Sequence, residues 1–168
     1  GALFVLYDKS ERDNYAAINL NGEVVASGFD YKNVMSAEVV ELYNDYNEST
    51  LVFADGKKLF FEGYNWDKCG DMLIAYNKNE SNRKIYDIKG NPITEYKTNN
   101  TDCLNDEYYI VELEDKSILY DAKTLQTKYE FKDLERNFYH SGVNILEFED
   151  GFYNYDGKLV LSKQPQTK

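Results

Sequence analysis

The chain has 168 residues, 19 Lys+Arg against 30 Asp+Glu, and a net charge of −11. That length supports one domain with a real core. The acidic field repels phosphate backbones and anionic membrane surfaces, which disfavours nucleic acid, short of a basic patch formed in the fold, and anionic membranes as general partners. No window reaches the roughly 18–20 continuous apolar residues of a membrane span, so no insertion is expected.

Tyrosine is the compositional outlier, with 16 copies against one Trp and nine Phe. Tyr, Phe and the β-branched residues suit a half-buried pleated surface. Two Pro and ten Gly argue against a disordered chain.

In chain order, strand-length apolar runs alternate with polar loops and Gly turns. The first run is Leu3-Phe4-Val5-Leu6-Tyr7; a polar loop over 8–14 and a strand Tyr15–Leu20 lead to the turn Asn21-Gly22 and a third strand, Val24-Val25-Ala26. The second unit repeats this with Val39–Tyr43, the turn Asp55-Gly56 and Leu59-Phe60-Phe61. The third has Met72–Tyr76, Tyr86–Ile88, Lys89-Gly90 and Ile93–Tyr96. The fourth has Tyr108–Glu112, Tyr120-Asp121, Lys123-Thr124 and Thr127–Phe131. The fifth has Val143–Glu147, Tyr153-Asn154, Asp156-Gly157 and Leu159-Val160-Leu161.

The turn residues Gly22, Gly56, Gly90, Thr124 and Gly157 are thus spaced by 34, 34, 34 and 33 residues. A period that regular signals a repeat architecture. The expected fold is all-β: five three-stranded antiparallel meanders of about 34 residues, propeller-like, with a β-solenoid or stacked sheet as the alternative. The units fall at about 2–28, 39–63, 72–96, 108–131 and 143–161, within one domain over 1–161, and 162–168 forms a polar tail. The Asn-Gly and Asp-Gly pairs predict type I′ turns, with φ > 0 at both central residues.

Four connectors join the units: 29–38, 64–71, 97–107 and 132–142. Each has room for a short fourth strand or a helical turn, and 33–42 and 132–138 show roughly helical spacing. Cys69 and Cys103 sit 34 residues apart, each 13 residues after its turn glycine, at one repeat position. Free thiols in a small apolar slot are expected there; a disulfide would need Cα atoms within about 7 Å, a separation natural to stacked coils.

Unit one, from Tyr15 to Tyr31, resembles the WG repeat, a bacterial module of about 35 residues. Asn19, Gly22, Val24-Val25 and Phe29-Asp30 match its later positions, while Tyr15-Ala16 stands where the Trp-Gly pair would be. Later units keep an aromatic-Asp/Asn pair and the turn. The resemblance implies a β-repeat architecture and a binding role in a bacterial surface or secreted protein. Gly1 reads as a cloning remnant, so a signal or anchor segment removed ahead of it fits that location; the cytoplasm is compatible with the same residues.

No catalytic constellation stands out. The one histidine, His140, has no partner that the sequence places beside it. There is no Cys/His spacing for zinc and no Gly-rich phosphate loop, so no metal or cofactor is expected. The acidic runs 102–107 and 147–151 lack the alternation of a calcium loop. Among thirty carboxylates nothing selects a glycosidase pair, which leaves a glycosidase-like enzyme as the least favoured reading.

The candidate contact residues are Trp66, Tyr64, Tyr31, Tyr96 and Tyr139, in or beside the connectors with Asn and Asp nearby. Flat rings stack on sugars, and Tyr and Trp equally suit protein interfaces. The expected function is a non-enzymatic module making protein–protein contacts; the alternative is a glycan- or cell-wall-binding module built on these aromatics.

Overall fold

The computed structural model describes residues 1–8, 14–45, 48–77, 79, 81–98, 100–132, 136–140, 144–148 and 150–163; it does not describe the side chains of Asp8, Asp45, Glu48 and 136–140. The fold is all-β, in five sheets whose strands are consecutive in the chain. Sheet 1 holds β1 (Leu3–Asp8), β2 (Asn14–Asn19) and β3 (Val24–Phe29). Sheet 2 holds β4 (Tyr31–Val34), β5 (Val39–Asp45), β6 (Glu48–Phe53) and β7 (Lys58–Phe60). Sheet 3 holds β8 (Asn65–Cys69), β9 (Met72–Asn77), β10 (Asn82–Asp87) and β11 (Pro92–Lys97). Sheet 4 holds β12 (Thr101–Leu104), β13 (Tyr108–Glu112), β14 (Lys116–Asp121) and β15 (Gln126–Lys132). Sheet 5 holds β16 (Arg136–His140), β17 (Ile145–Phe148), β18 (Gly151–Asn154) and β19 (Leu159–Ser162).

Each sheet is an up-and-down meander, the blade-like unit expected from the repeat. The sheets are discrete, so the continuous sheet of the alternative arrangement is not what forms. The connectors supply a first strand to sheets 2 to 5, which makes those units four-stranded rather than three-stranded. The helical spacing over 33–42 is overturned: Tyr31↔Tyr43, Lys32↔Leu42, Asn33↔Glu41 and Val34↔Val40 pair across a hairpin. β-Branched Val34, Val39 and Val40 favour the pleat, and alternation sends Val40 and Leu42 to one core and Val39 to another. In the last connector Arg136–His140 is likewise strand; 133–135 lie outside the described residues.

The turns also differ from expectation, and the reason lies two residues ahead of each Xaa-Gly pair. Gly22, Gly56, Gly90 and Gly157 have positive φ, whereas Asn21, Asp55, Lys89 and Asp156 do not. In the first copy Gly22 N–H donates to Asn19 C=O at 3.0 Å, and Asn19 N–H to Glu23 C=O at 3.0 Å. This is a right-handed turn closed by a left-handed glycine rather than a type I′ turn. Asn19 Oδ1 accepts from the amides of Asn21 and Glu23 at 3.0 Å each. Asp87 Oδ1 does the same for Lys89 (2.9 Å) and Asn91 (2.7 Å), and Asn154 Oδ1 for Asp156 (3.1 Å) and Lys158 (2.9 Å). The recurring Asp/Asn before the turn is an Asx anchor that satisfies two loop amides. In the fourth copy Asp121 Oδ1 takes Lys123 and Thr124 at 2.9 Å each, and Leu125 carries the positive φ of 62° in place of a glycine.

Two compact units divide the chain: Gly1–Lys68 with Leu73–Glu95, and Cys69–Met72 with Tyr96–Lys168. In the first, Ala17 and Ala26 of sheet 1 pack with Val40, Leu42 and Val52 of sheet 2. The opposite face of sheet 2 joins Val39, Leu51 and Phe53 to Tyr64, Trp66, Leu73, Ala75 and Tyr86. In the second unit Leu104, Ile110, Leu119 and Phe131 pack against Leu146 and Phe148. Burying a Leu or Phe of this kind stabilises by about 1.5–3 kcal/mol against leaving it exposed.

Cys69 and Cys103 are not free thiols but a disulfide, with Cα atoms 5.6 Å apart. They lie in β8 and β12, the first strands of successive sheets, and both cysteines fall in the second unit. The adjoining turn is packed tightly: Asp71 N–H donates to Ala122 C=O at 2.8 Å, and a Cβ on Gly70 would meet Ala122 Cβ at 2.7 Å.

Candidate binding surface

The first unit carries two separate cross-strand tyrosine pairs, each set by strand register. Tyr31 and Tyr43 are direct cross-strand partners in sheet 2, with ring centroids 5.3 Å apart and planes 18° from parallel. Tyr7 and Tyr15 are direct partners in sheet 1, with centroids 5.1 Å apart. Lys32, on the other face of β4 from Tyr31, brings its Nζ within 5.8 Å of the Tyr15 ring centroid. Tyr7 and Tyr31 remain 46% and 41% exposed, so ring faces and a cation are open to a partner. Cross-strand aromatic pairs also stabilise the ladder that displays them, by about 0.2–1 kcal/mol each.

Two rungs inward, on the same face as Tyr31, Asn33 stands opposite Glu41, and Asn33 Nδ2 donates to Glu41 Oε2 at 3.2 Å. Glu41 is buried, and this desolvation holds its carboxyl above the usual range against the hydrogen bonds from Asn33 and the Trp66 amide. The negative charge of Asp67 pushes in the same direction as burial. Tyr76 lies in the same field: partial burial, Asp67 and Glu41 raise its phenol, and the Arg83 guanidinium sits 5.1 Å above its ring. An inward carboxyl held by amide donors suits an anchor of the ladder better than a group meeting substrate.

The expected contact aromatics fall into different environments. Tyr31 is at the surface as described. Trp66, 2% exposed, and Tyr64, 6% exposed, belong to the core with Phe61 and Tyr86. Ring separations of 5.6 Å for Trp66–Tyr86 and 5.8 Å for Phe61–Tyr64 make this an aromatic cluster closed to a sugar face. Tyr96, in the second unit, makes a short hydroxyl–hydroxyl contact with Tyr120. Burial foremost, and then Tyr96, raises the Tyr120 phenol. The side chains of Tyr139 and His140 lie outside the described residues.

Tyr7, exposed, its partly buried neighbour Tyr15, and Tyr43, partner of Tyr31, lie outside the connectors that the sequence singled out. A signal existed: Tyr7, Tyr43 and Tyr76 each close the first apolar run of a unit, which places them at strand ends where rings are half-exposed. In the acidic runs, Glu147 pairs with Lys163 at 2.6 Å, and Asp106 Oδ1 lies 3.7 Å from Cys103 Sγ. With both sulfurs in the disulfide, that cluster presents no thiolate to a metal.

No family model and no curated protein matches the sequence. Among solved structures, the chain is similar to BamB from Moraxella catarrhalis, with TM-score 0.40 and 11% identity over 98% of this chain and 61% of that one. It is similar to Hsv2 from Kluyveromyces lactis, with TM-score 0.44 and 7% identity over 92% and 58%. It is also similar to the β-propeller domain of Cps50 (Swd1) from Myceliophteria thermophila, with TM-score 0.37 and 12% identity over 93% and 67%. The chain thus spans 61% and 58% of the first two.

Proposed function

We propose that this chain is a non-enzymatic interaction module that binds protein through its exposed tyrosines. The observation that carries the reading is the two cross-strand tyrosine pairs with half-exposed members, Tyr7–Tyr15 with Lys32 beside Tyr15, and Tyr31–Tyr43. Tyr supplies a large contact area at small conformational cost, with a polar tip, and is enriched where binding energy concentrates. Burial of Trp66 and Tyr64 weighs against the glycan alternative in the form that needs those rings. A degenerate WG-repeat protein of a bacterial surface or secreted location remains the setting we propose, on the repeat residues alone.

The test is retention of soluble extracellular protein and of wall polysaccharide on the immobilised chain and on a Tyr7→Ser/Tyr31→Ser variant. One discrete protein held by the parent and released by the variant supports the reading. Polysaccharide retention at moderate salt supports the glycan alternative instead. Equal retention by parent and variant overturns the assignment to these tyrosines.

A further inference from the structure

The Cys69–Cys103 cross-link has a carboxylate beside it. Among the described residues, Cys69 Sγ, Cys103 Sγ and an Asp106 carboxylate oxygen form the one group of three metal-ligand atoms lying within 4.8 Å of one another. All three residues belong to the second unit. Asp106 Oδ1 stands 3.7 Å from Cys103 Sγ, and the cysteine Cα atoms are 5.6 Å apart. In a tetrahedron with zinc bonds of about 2.3 Å to sulfur and about 2.0–2.2 Å to oxygen, two thiolates lie about 3.8 Å apart, and a thiolate and a carboxylate about 3.5–3.7 Å. The Asp106 distance meets the second spacing. Once the sulfur bond opens, the first asks only for side-chain rotation.

The backbone that aims these side chains has ties of its own. Asn105 and Asp106, with φ of 56° and 58°, form the turn after β12, closed by Glu107 N–H on Leu104 C=O at 3.1 Å. Ala122 N–H donates to Glu107 C=O at 2.8 Å, and Ala122 C=O accepts from Asp71 N–H at 2.8 Å. Ala122 thus joins the turn after Cys69 to the turn after β12. A Cβ on Gly70 would meet Asp106 C=O at 2.9 Å, so the two turns are in direct contact. Reduction removes none of these bonds, and the three ligand side chains stay convergent. Cys69 is buried, Cys103 half-buried and Asp106 exposed, which leaves a fourth tetrahedral position open to water.

We propose that in the reduced chain Cys69, Cys103 and Asp106 bind one zinc ion, with water as the fourth ligand. The two strands are then tied in either setting, by the sulfur bond where thiols are oxidised and by metal where they are kept reduced. A dithiol reductant delivers two electrons and two protons to the S–S bond and leaves as its own disulfide; Zn2+ then displaces both thiol protons to solvent. Paired thiolates select zinc over calcium or magnesium, and the net charge of −11 favours a cation. The Tyr108 carbonyl, 3.2 Å from Cys69 Sγ, accepts from the free thiol, so metal competes with that proton and binding weakens as pH falls.

The test is titration of the whole chain, reduced by a phosphine under nitrogen, with Co2+ as spectroscopic probe and then with Zn2+. The expected result is one Co2+ per chain, with sulfur-to-metal charge-transfer and tetrahedral d–d absorption, displaced by equimolar Zn2+. Zinc should also release the thiol protons and raise the melting temperature of the reduced chain, and the oxidised chain should do none of this. Asp106→Asn keeps both sulfurs and suits the left-handed backbone of that position, so its circular dichroism and its own disulfide certify its fold. It should bind at least tenfold more weakly. A reduced parent that takes up no Co2+ at micromolar concentration, or takes it up without the charge-transfer band, overturns the proposal. Equal affinity of the oxidised parent, or of reduced Asp106→Asn, overturns it as well.

Discussion

Cys69 and Cys103 stand one repeat apart, 34 residues in sequence, and their Cα atoms are 5.6 Å apart across two sheets that share no hydrogen-bonded strand. The bond ties the Gly70–Met72 turn into the second unit, beside Ala122 and Asp106. A cross-link closing a loop of this length is worth about 3–4 kcal/mol by the chain-entropy argument. The native mass should lie about 2 Da below the reduced value, one hydrogen lost per sulfur. Reduction, or Cys69→Ala/Cys103→Ala, should lower the melting temperature by several degrees. An unchanged mass and melt on reduction would contradict the bond.

The glycine turns yield a paired prediction. Gly22 and Gly90 have φ of +81° and +75°, so alanine at either is strained by about 1 kcal/mol. The surroundings differ. A Cβ at Gly22 meets nothing within 4 Å, whereas at Gly90 it meets Phe53 Cζ at 2.7 Å and Lys57 Nζ at 3.0 Å. Phe53 is core, and Lys57 Nζ donates to the carbonyl of Gly90 at 2.7 Å. Thermal melts should therefore show Gly90→Ala costing more than Gly22→Ala, by about 1 kcal/mol or more. Equal losses would mean the pocket around Gly90 yields freely.

The repeated turn made the architecture legible from the sequence, because a left-handed glycine recurs in four of the five loops and an Asx residue three positions ahead of it in three of those four. Turn type was less legible: Asn21-Gly22 is compatible with two geometries, and the Asn19 carboxamide selects between them. The fourth strands were ambiguous because Tyr31–Val34 has no buried residue to set a period. The binding aromatics were half legible. Tyr31 could be placed at a surface, but Trp66 and Tyr64 have the same local composition and face inward, a choice fixed by the packing of Leu73, Ala75 and Tyr86 rather than by neighbours in sequence.

Trp66 thus belongs to stability. Removing a fully buried indole costs about 3–5 kcal/mol through lost contacts and the cavity left behind. Trp66→Ala should unfold the first unit or lower its melt steeply, while emission of the parent should be blue-shifted and unmoved by wall saccharides. Quenching by a saccharide would return Trp66 to the ligand side.

Glu41 and Asp87 should give opposite pH slopes. Burial raises the Glu41 carboxyl above its unfolded value, so the folded chain binds that proton more tightly. Its contribution is full below the unfolded pKa and lost as pH rises through the folded one. Glu41→Gln removes the buried charge, so it should melt higher than the parent at neutral pH, with the advantage fading as pH falls into the ordinary carboxyl range. At Asp87 partial burial pushes upward but is outweighed by the amides of Asn91 and Lys89 and by the Lys57 charge, leaving the carboxyl below its usual value. That contribution is present above the unfolded pKa and lost as pH falls through the folded one. Asp87→Ala should therefore melt lower than the parent at neutral pH, the deficit closing on acidification. Melting curves of both variants from neutral to acid pH decide it: parallel slopes would refute the burial of Glu41 as an ionisable group, the anchoring of the turn by Asp87, or both.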